Sequence, residues 1–204
     1  MKLKEKEIAM SKRIIVATGN EGKLKEVREI LSELDYEIVS MKEAGVFEDV
    51  DETGTTFEEN ALLKAKAVLN KVNKDDIVIA DDSGLEIDYL GGEPGIYSAR
   101  YLGHDTSYDY KNSEILKKLD GVPDEKRTAR FVCAIALVSF DKEVVKRATI
   151  EGIIGHEIAG ENGFGYDPIF YVPEYGKTTA ELNADEKNAI SHRGKALRAI
   201  REEL

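Results

Sequence analysis

The sequence predicts a mixed α/β fold with an elongated sheet, on three observations. Arg13–Ala17 (RIIVA) is a short apolar run that passes through a polar turn into a helix-period pattern. Thr56–Val72 repeats that pattern behind a capping signature, and a second short apolar run, Ile77–Ala80, follows it. Thr128–Phe140 and Val144–Ile154 are two long runs of strand composition joined at Asp141-Lys142, a hairpin that suits a long sheet.

The elements follow in order. After the first strand and the polar turn Thr18–Gly22, Leu24, Val27, Leu31 and Leu34 recur at helical spacing from Lys23 onward. A second strand is expected at Glu37–Ser40. Thr56 with Glu59 has the form of a capping box, and Phe57, Ala61, Ala65, Val68 and Val72 line one face of the next helix. Ile77–Ala80 reads as a strand that ends directly in Asp81-Asp82. Residues 83–107 are rich in Gly, Tyr and polar groups, with a brief strand expected at Glu86–Leu90. A helix near Tyr108–Leu119 carries Ile115, Leu116 and Leu119, and Ile169–Val172 gives one more strand after the hairpin. Ser191 opens the last helix, with Ala196, Leu197, Ile200 and Leu204 as its apolar face. No repeat, low-complexity tract or linker divides the chain, so residues 11–204 read as one domain. Met10 has the position of an alternative start, and residues 1–10 are expected to form an extension outside the fold.

Composition narrows the function classes. A chain of 204 residues that is 42% hydrophobic can bury a real core. Its 29 Lys+Arg against 40 Asp+Glu give a net charge of −11, the wrong sign for holding long nucleic acid by its phosphates. A small anion is still allowed, because a few local lysines and backbone N–H groups can bind a polyphosphate within an acidic protein. Cys133 is the only cysteine, which excludes an intrachain disulfide and a cysteine-based zinc site; within RFVCAIALV it reads as a buried, inert thiol. No apolar run approaches the ~18 residues of a membrane span. MKLKEKEIAM lacks the apolar middle of a signal peptide, so a cytoplasmic location without a membrane partner is expected.

Four short words and one helix carry the chemistry. TGNEGK (Thr18, Gly19, Asn20, Glu21, Gly22, Lys23) stands between a strand and a helix N-terminus, where free N–H groups and the helix dipole favour an anion and Lys23 adds charge. It is not a Walker A loop, since Leu24 follows the lysine, and taken alone it is equally a helix cap. ADDSGL places two adjacent acids whose side chains point to different sides of a strand, so that one can face a metal and the other a water. Oxygen ligands with waters retained suit Mg²⁺. Glu52, within DVDETG, is the further carboxylate expected there; the other reading has Asp81 and Asp82 cap a turn while Ser83-Gly84 relax the backbone. Lys64 flanks the apolar stripe of its helix and can reach a site at the helix edge, whereas Lys66 has no such position. In GFGYDP, Phe164 can stack on a base and Asp167 can accept from its N–H groups; the other reading is a tight turn with Phe164 and Tyr166 in the core. SHRGKA opens a helix with Ser191 as cap, and its His192 and Arg193, with Lys187 upstream, are donors suited to a purine carbonyl or simply a surface pair.

In this order these words resemble the inosine triphosphate pyrophosphatase family, which removes deaminated purine nucleotides. The likeness spans the chain after Met10 and includes LGGEPGIYSARY (90–101) and AELNADEKNAISHRG (180–194). The resemblance implies helices flanking the sheet, two lobes with the active cleft between them, and a homodimer. It implies Mg²⁺-dependent hydrolysis of ITP, dITP and XTP to the monophosphate and pyrophosphate. Carried over residue by residue, Thr18, Gly19, Asn20, Glu21, Gly22, Lys23 and Lys64 would hold phosphates and Asp82 would be the general base. Glu52, Asp81 and Asp82 would serve the metal. Ser83, Phe164, Gly165, Tyr166, Asp167, Lys187, His192 and Arg193 would contact the substrate and its base. A hydrogen bond required by purine O6 would separate ITP from ATP, and such a site can discriminate by ~10⁴. Two alternatives stand beside this expectation: a related pyrophosphatase for other nucleotides, and a regulator that binds a triphosphate without cutting it.

Overall fold

The structure is a computed structural model that describes residues 12–48 and 50–204. The extension expected at residues 1–10 lies outside the described residues. Seven strands form one open mixed sheet in the order β2-β1-β3-β4-β5-β6-β7. β1 (Arg13–Val16) lies between β2 (Glu37–Ser40) and β3 (Ile77–Ile87), parallel to both. From β3 onward the pairing is antiparallel, through β4 (Thr128–Val138), β5 (Glu143–Ile154), β6 (Phe170–Val172) and β7 (Lys177–Thr178).

β3 departs from expectation. The sequence divides it into Ile77–Ala80 and Glu86–Leu90, with Asp81-Asp82 at a strand end, but it is one strand through Ile87. The reason is its partner: Asp81, Asp82, Ser83 and Gly84 pair in register with Ile135, Ala134, Cys133 and Val132 of β4. A continuous apolar neighbour with a full hydrogen-bond ladder overrides local residues that would otherwise favour a turn.

Asn20 caps α1 (Glu21–Ile30) by accepting from the Lys23 N–H at 3.1 Å. Thr56 caps α2 (Phe57–Leu69) through the Glu59 N–H, while the Glu59 carboxylate returns to the backbone and hydroxyl of Thr55. α3 (Tyr108–Lys118) starts at Ser107. A short α4 (Ala184–Ile190), held by a reciprocal Asn183–Glu186 capping box, precedes α5 (His192–Arg201), which Ser191 caps.

Alternation along the strands sorts the core. Ile15, Val78, Ala80 and Val132 face α2, where they meet Phe57, Ala61, Ala65 and Val68. Ile14, Val16, Ile79 and Ile135 face the other side and pack on Leu24 and Val27 of α1 and Ala196 and Leu197 of α5. A third cluster joins Leu85, Ile87, Phe131 and Ile150 to Phe170 and to Ile115 of α3. β3 therefore enters the first two clusters before Asp81 and the third after Gly84. The polar residues 81–84 sit at the junction between cores.

Over that junction lies a 3₁₀ segment, Gly95–Arg100. Gly84 permits its approach, for a Cβ there would stand 2.4 Å from the Gly95 carbonyl oxygen and 2.5 Å from Ser98 Oγ. Ser98 Oγ accepts from the Leu85 N–H at 2.9 Å and donates to the Gly95 carbonyl at 2.7 Å, which fixes segment to strand.

Candidate active site

Asp82 faces α2. Its Oδ1 accepts from Lys64 Nζ at 3.0 Å, and the same ammonium donates to Glu52 Oε1 at 2.7 Å. Glu52 Oε2 in turn accepts from Arg100 Nη1 at 2.9 Å. The second Asp82 oxygen, Oδ2, is buried with no partner among the described residues. Burial outweighs Lys64 and Lys23 here and raises the Asp82 carboxyl above its ordinary value. Burial also pushes Glu52 up, but Lys64 prevails and holds it below the ordinary value. Two carboxylates joined through one ammonium, one of them with an oxygen unpaired among the described residues, suit a hard cation that keeps waters and takes its remaining ligands from a substrate. Among the described residues no group of three His, Cys, Asp or Glu side chains converges to hold a metal.

Asp81, expected beside Glu52 and Asp82 on the metal, is turned to the opposite face because successive strand residues alternate. There it is 2% exposed, and it meets Arg193 Nε at 2.8 Å, Ser83 Oγ at 3.1 Å, Cys133 Sγ at 2.9 Å and the Lys23 ammonium. Burial raises its carboxyl, but Arg193 and Lys23 hold it well below the aspartate range. Cys133 is buried as expected, with burial and then Asp81 pushing its thiol far up.

Arg193 and Lys187 share a second carboxylate that the sequence reading passed over. Glu26 of α1 accepts from Lys187 Nζ at 2.9 Å and pairs with Arg193 Nη1. Burial raises Glu26, yet Arg193 and Lys187 outweigh it and keep it ionised. Arg193, read as a donor for a base, spends its guanidinium on Asp81, Glu26 and Ser83 and is 2% exposed. Asp167 is also committed: Oδ2 accepts from the Phe164 N–H at 2.8 Å and Lys187 Nζ at 2.8 Å, and Oδ1 from Thr179 Oγ1 at 2.8 Å. These bonds hold the GFGYDP loop in shape. Gly22 of α1 packs on the Phe164 ring, where a Cβ would come within 2.7 Å.

His192 is buried and stacks on Phe131, with centroids 4.9 Å apart. Burial, then Arg193, hold its pKa well below the usual value, so the ring is neutral, and Nδ1 has no partner among the described residues. Tyr166 is buried edge-on to Tyr108 and donates its hydroxyl to the Ser98 carbonyl at 2.7 Å.

Two cavities run together at this place. A narrow inner slot of 80 Å³ is bounded by Phe164, Gly165, Tyr166, Asp167, His192 and Ser83–Gly84 of β3. A wider outer cleft of 680 Å³ is bounded by Thr18, Gly19, Glu52, Lys64 and Arg100. Asn20, Lys23 and Ala99 border both. The sequence words thus converge, with Glu21 and Gly22 in the first turn of α1 beside them. Glu26, Arg100, Tyr108 and Phe131 went unread because their neighbours look like ordinary helix, loop and core; only the LGGEPGIYSARY stretch pointed toward Arg100.

Comparison with known proteins shows the family of the chain. The model of the Ham1 family matches residues 14–203. A dITP/XTP pyrophosphatase from Caldanaerobacter subterraneus subsp. tengcongensis is 52% identical over 190 residues, 93% of this chain and 94% of that protein. A dITP/XTP pyrophosphatase from Bacillus subtilis is 52% identical over 191 residues, 93% of this chain and 95% of that one. The structure of the Staphylococcus aureus Ham1 protein superposes with a TM-score of 0.83 at 45% identity, covering 94% of this chain and 97% of its own.

Proposed function

Because the chain belongs to the Ham1 family, we propose that it hydrolyses the non-standard purine nucleoside triphosphates dITP, ITP and XTP to the monophosphate and pyrophosphate. The observation that carries the reading is Asp82: a buried carboxylate with one oxygen unpaired among the described residues, bonded to Lys64 of the cleft wall and followed by Ser83 of the aromatic slot. Thr18, Gly19, Asn20, Glu21, Gly22 and Lys23 cradle phosphates at the start of α1, and Lys64 adds charge from α2. Glu52 and Asp82 are the residues that would hold Mg²⁺, which when bound neutralises charge on the phosphoryl oxygens.

Asp82 takes a proton from the water that attacks the α-phosphorus, and the bond to the bridging oxygen breaks to release pyrophosphate. Its raised pKa makes it a better proton acceptor than an exposed aspartate. Asp81 holds Lys23 and Arg193 in place rather than serving the metal, and Ser83 stands with them.

Phe164 stacks on the base within the slot that Gly165, Tyr166 and Asp167 shape. Asp167, Lys187 and Arg193 position that loop and the start of α5. The purine O6 is read by His192 and by the His192 and Arg193 N–H groups that open α5, the Gly194 N–H being taken by the Ser191 cap. Adenine places an amino group where these donors need an acceptor. The protein acts in the cytoplasm as a homodimer, without nucleic-acid or membrane partners.

The test is release of pyrophosphate and phosphate from ITP, XTP, ATP and GTP, with Mg²⁺ and with EDTA. Metal-dependent pyrophosphate from ITP and XTP, with little from ATP and GTP, is the expected result. Orthophosphate as first product would move the attack to a terminal phosphorus and overturn the mechanism. Binding of ITP without turnover would make the protein a sensor.

A further inference from the structure

Arg100 borders the outer cleft beside Lys23 and Lys64, yet the mechanism above gives it no task. Its setting is built. Immediately before it, the Ala99 carbonyl accepts from Lys111 Nζ at 2.6 Å, and the Ser98 carbonyl is held by Tyr166. Lys111 is itself 1% exposed, so a buried ammonium is spent on fixing this backbone. The guanidinium of Arg100 lies over the Tyr97 ring, 5.0 Å from its centroid. Its only hydrogen bond among the described residues is the one from Nη1 to Glu52 Oε2. A guanidinium carries five N–H donors, so most of its fork is unspent, and the side chain is 25% exposed.

Position adds direction. Ala99 borders both cavities, whereas Arg100 borders the outer cleft alone. With a base in the inner slot and the α-phosphorus near Asp82, the far phosphates extend into the cleft that Arg100 flanks. Lys23 and Lys64 each answer to a carboxylate on β3, Asp81 and Asp82, which ties them to the near end of the polyphosphate. A planar fork that can bond two oxygens at once is the better group for a terminal phosphate.

We propose that Arg100 binds the β- and γ-phosphates, and hence the departing pyrophosphate, exchanging Glu52 for phosphate oxygens as substrate enters. The inference rests on the pyrophosphatase reading for the identity of its ligand, but its test does not require turnover. The full chain, Arg100→Gln and Arg100→Lys are titrated calorimetrically with inorganic pyrophosphate and, separately, with IMP, each with Mg²⁺. Arg100→Gln is expected to bind pyrophosphate about tenfold more weakly, the effect of one lost charge-assisted contact, with IMP within about twofold. Arg100→Lys keeps the charge without the fork and is expected to fall between; it carries the test if the glutamine variant fails to fold. Pyrophosphate affinity within about twofold of the parent in Arg100→Gln, or an equal loss on IMP, would overturn the proposal and leave Arg100 as a support for Glu52. Failure of the parent to bind pyrophosphate would overturn it as well. Release of orthophosphate from ITP, with the pyrophosphate–IMP split intact, would instead remove the pyrophosphatase reading and leave the Arg100 contact standing.

Discussion

Asp82 keeps one oxygen on Lys64 and leaves the other buried without a partner among the described residues, an arrangement rare enough in a folded core to call for an explanation. Asp82→Asn retains the shape and removes the basicity, so kcat is expected to fall by about 10²–10⁴ while nucleotide still binds. Turnover and an equilibrium titration on the same preparation check both halves. The parent's rate depends on ionised Asp82, and burial raises that pKa, so kcat should fall on acidification at a pH above the usual aspartate value of about 3.9. Arg193 belongs to a different class of residue. Its removal in Arg193→Ala leaves Asp81 and Glu26 buried without their main counter-charge, a loss of about 3–5 kcal/mol. In a chain of this size that lowers Tm by roughly 10 °C. Activity on ITP and ATP should fall together, because Arg193 supports the pocket rather than reading the base; a loss confined to ITP in a fully stable variant would return it to the base contact.

At the level of elements, the legible parts were those whose own residues carry the period or the cap. β2 has the bounds read from the sequence, β1 and α3 each end one residue sooner than expected, and α1, α2 and α5 stop three or four residues before the last apolar residue of their patterns, Leu34, Val72 and Leu204. The continuity of β3 was not legible, because DDSG is turn chemistry and only the β4 partner makes it strand. α4 was missed although Asn183 and Glu186 form its capping box, since its seven residues are too few to display a helical stripe. The Gly95–Arg100 segment was equally opaque: it is held by Ser98, Tyr166 and Lys111 bonds to other elements rather than by any local pattern. Its closeness to β3 depends on Gly84. Gly84→Ala is therefore expected to push the segment away, costing about 1–3 kcal/mol and raising KM for triphosphate as Arg100 shifts. Thermal melts and steady-state kinetics check it, and an unchanged KM would detach the segment from substrate binding.

Across the whole molecule, α1, β3, α4 and α5 are tied by charged pairs far apart in sequence, Glu26 to Lys187 and Arg193, and Asp81 to Arg193. Their pKa directions set how the fold answers acid. His192 is held neutral, so stability starts to fall as pH drops below the unfolded histidine value of about 6.5. Asp81 and Glu26 are depressed, so their contribution is present above about pH 4 and is lost as pH falls through their lowered values. Asp82 runs the other way, since its raised pKa makes acid relieve a buried charge. Melts from pH 7 to pH 3 should show a Tm that declines in two stages; a flat Tm would mean that the network contributes nothing to stability.

The sequence by itself determined the class of fold, the order of most elements and the words from which the site is made. Period, capping and composition are properties of neighbouring residues, and each was readable before any contact was known. Which carboxylate meets which cation was decided only by tertiary structure. Asp81 and Asp82 are adjacent and chemically equal in the sequence, yet strand alternation sends one to Arg193 and the other to Lys64. Burial raises both carboxyls, but Arg193 and Lys23 outweigh it at Asp81 while Lys64 and Lys23 do not at Asp82, so the two pKa values move in opposite directions.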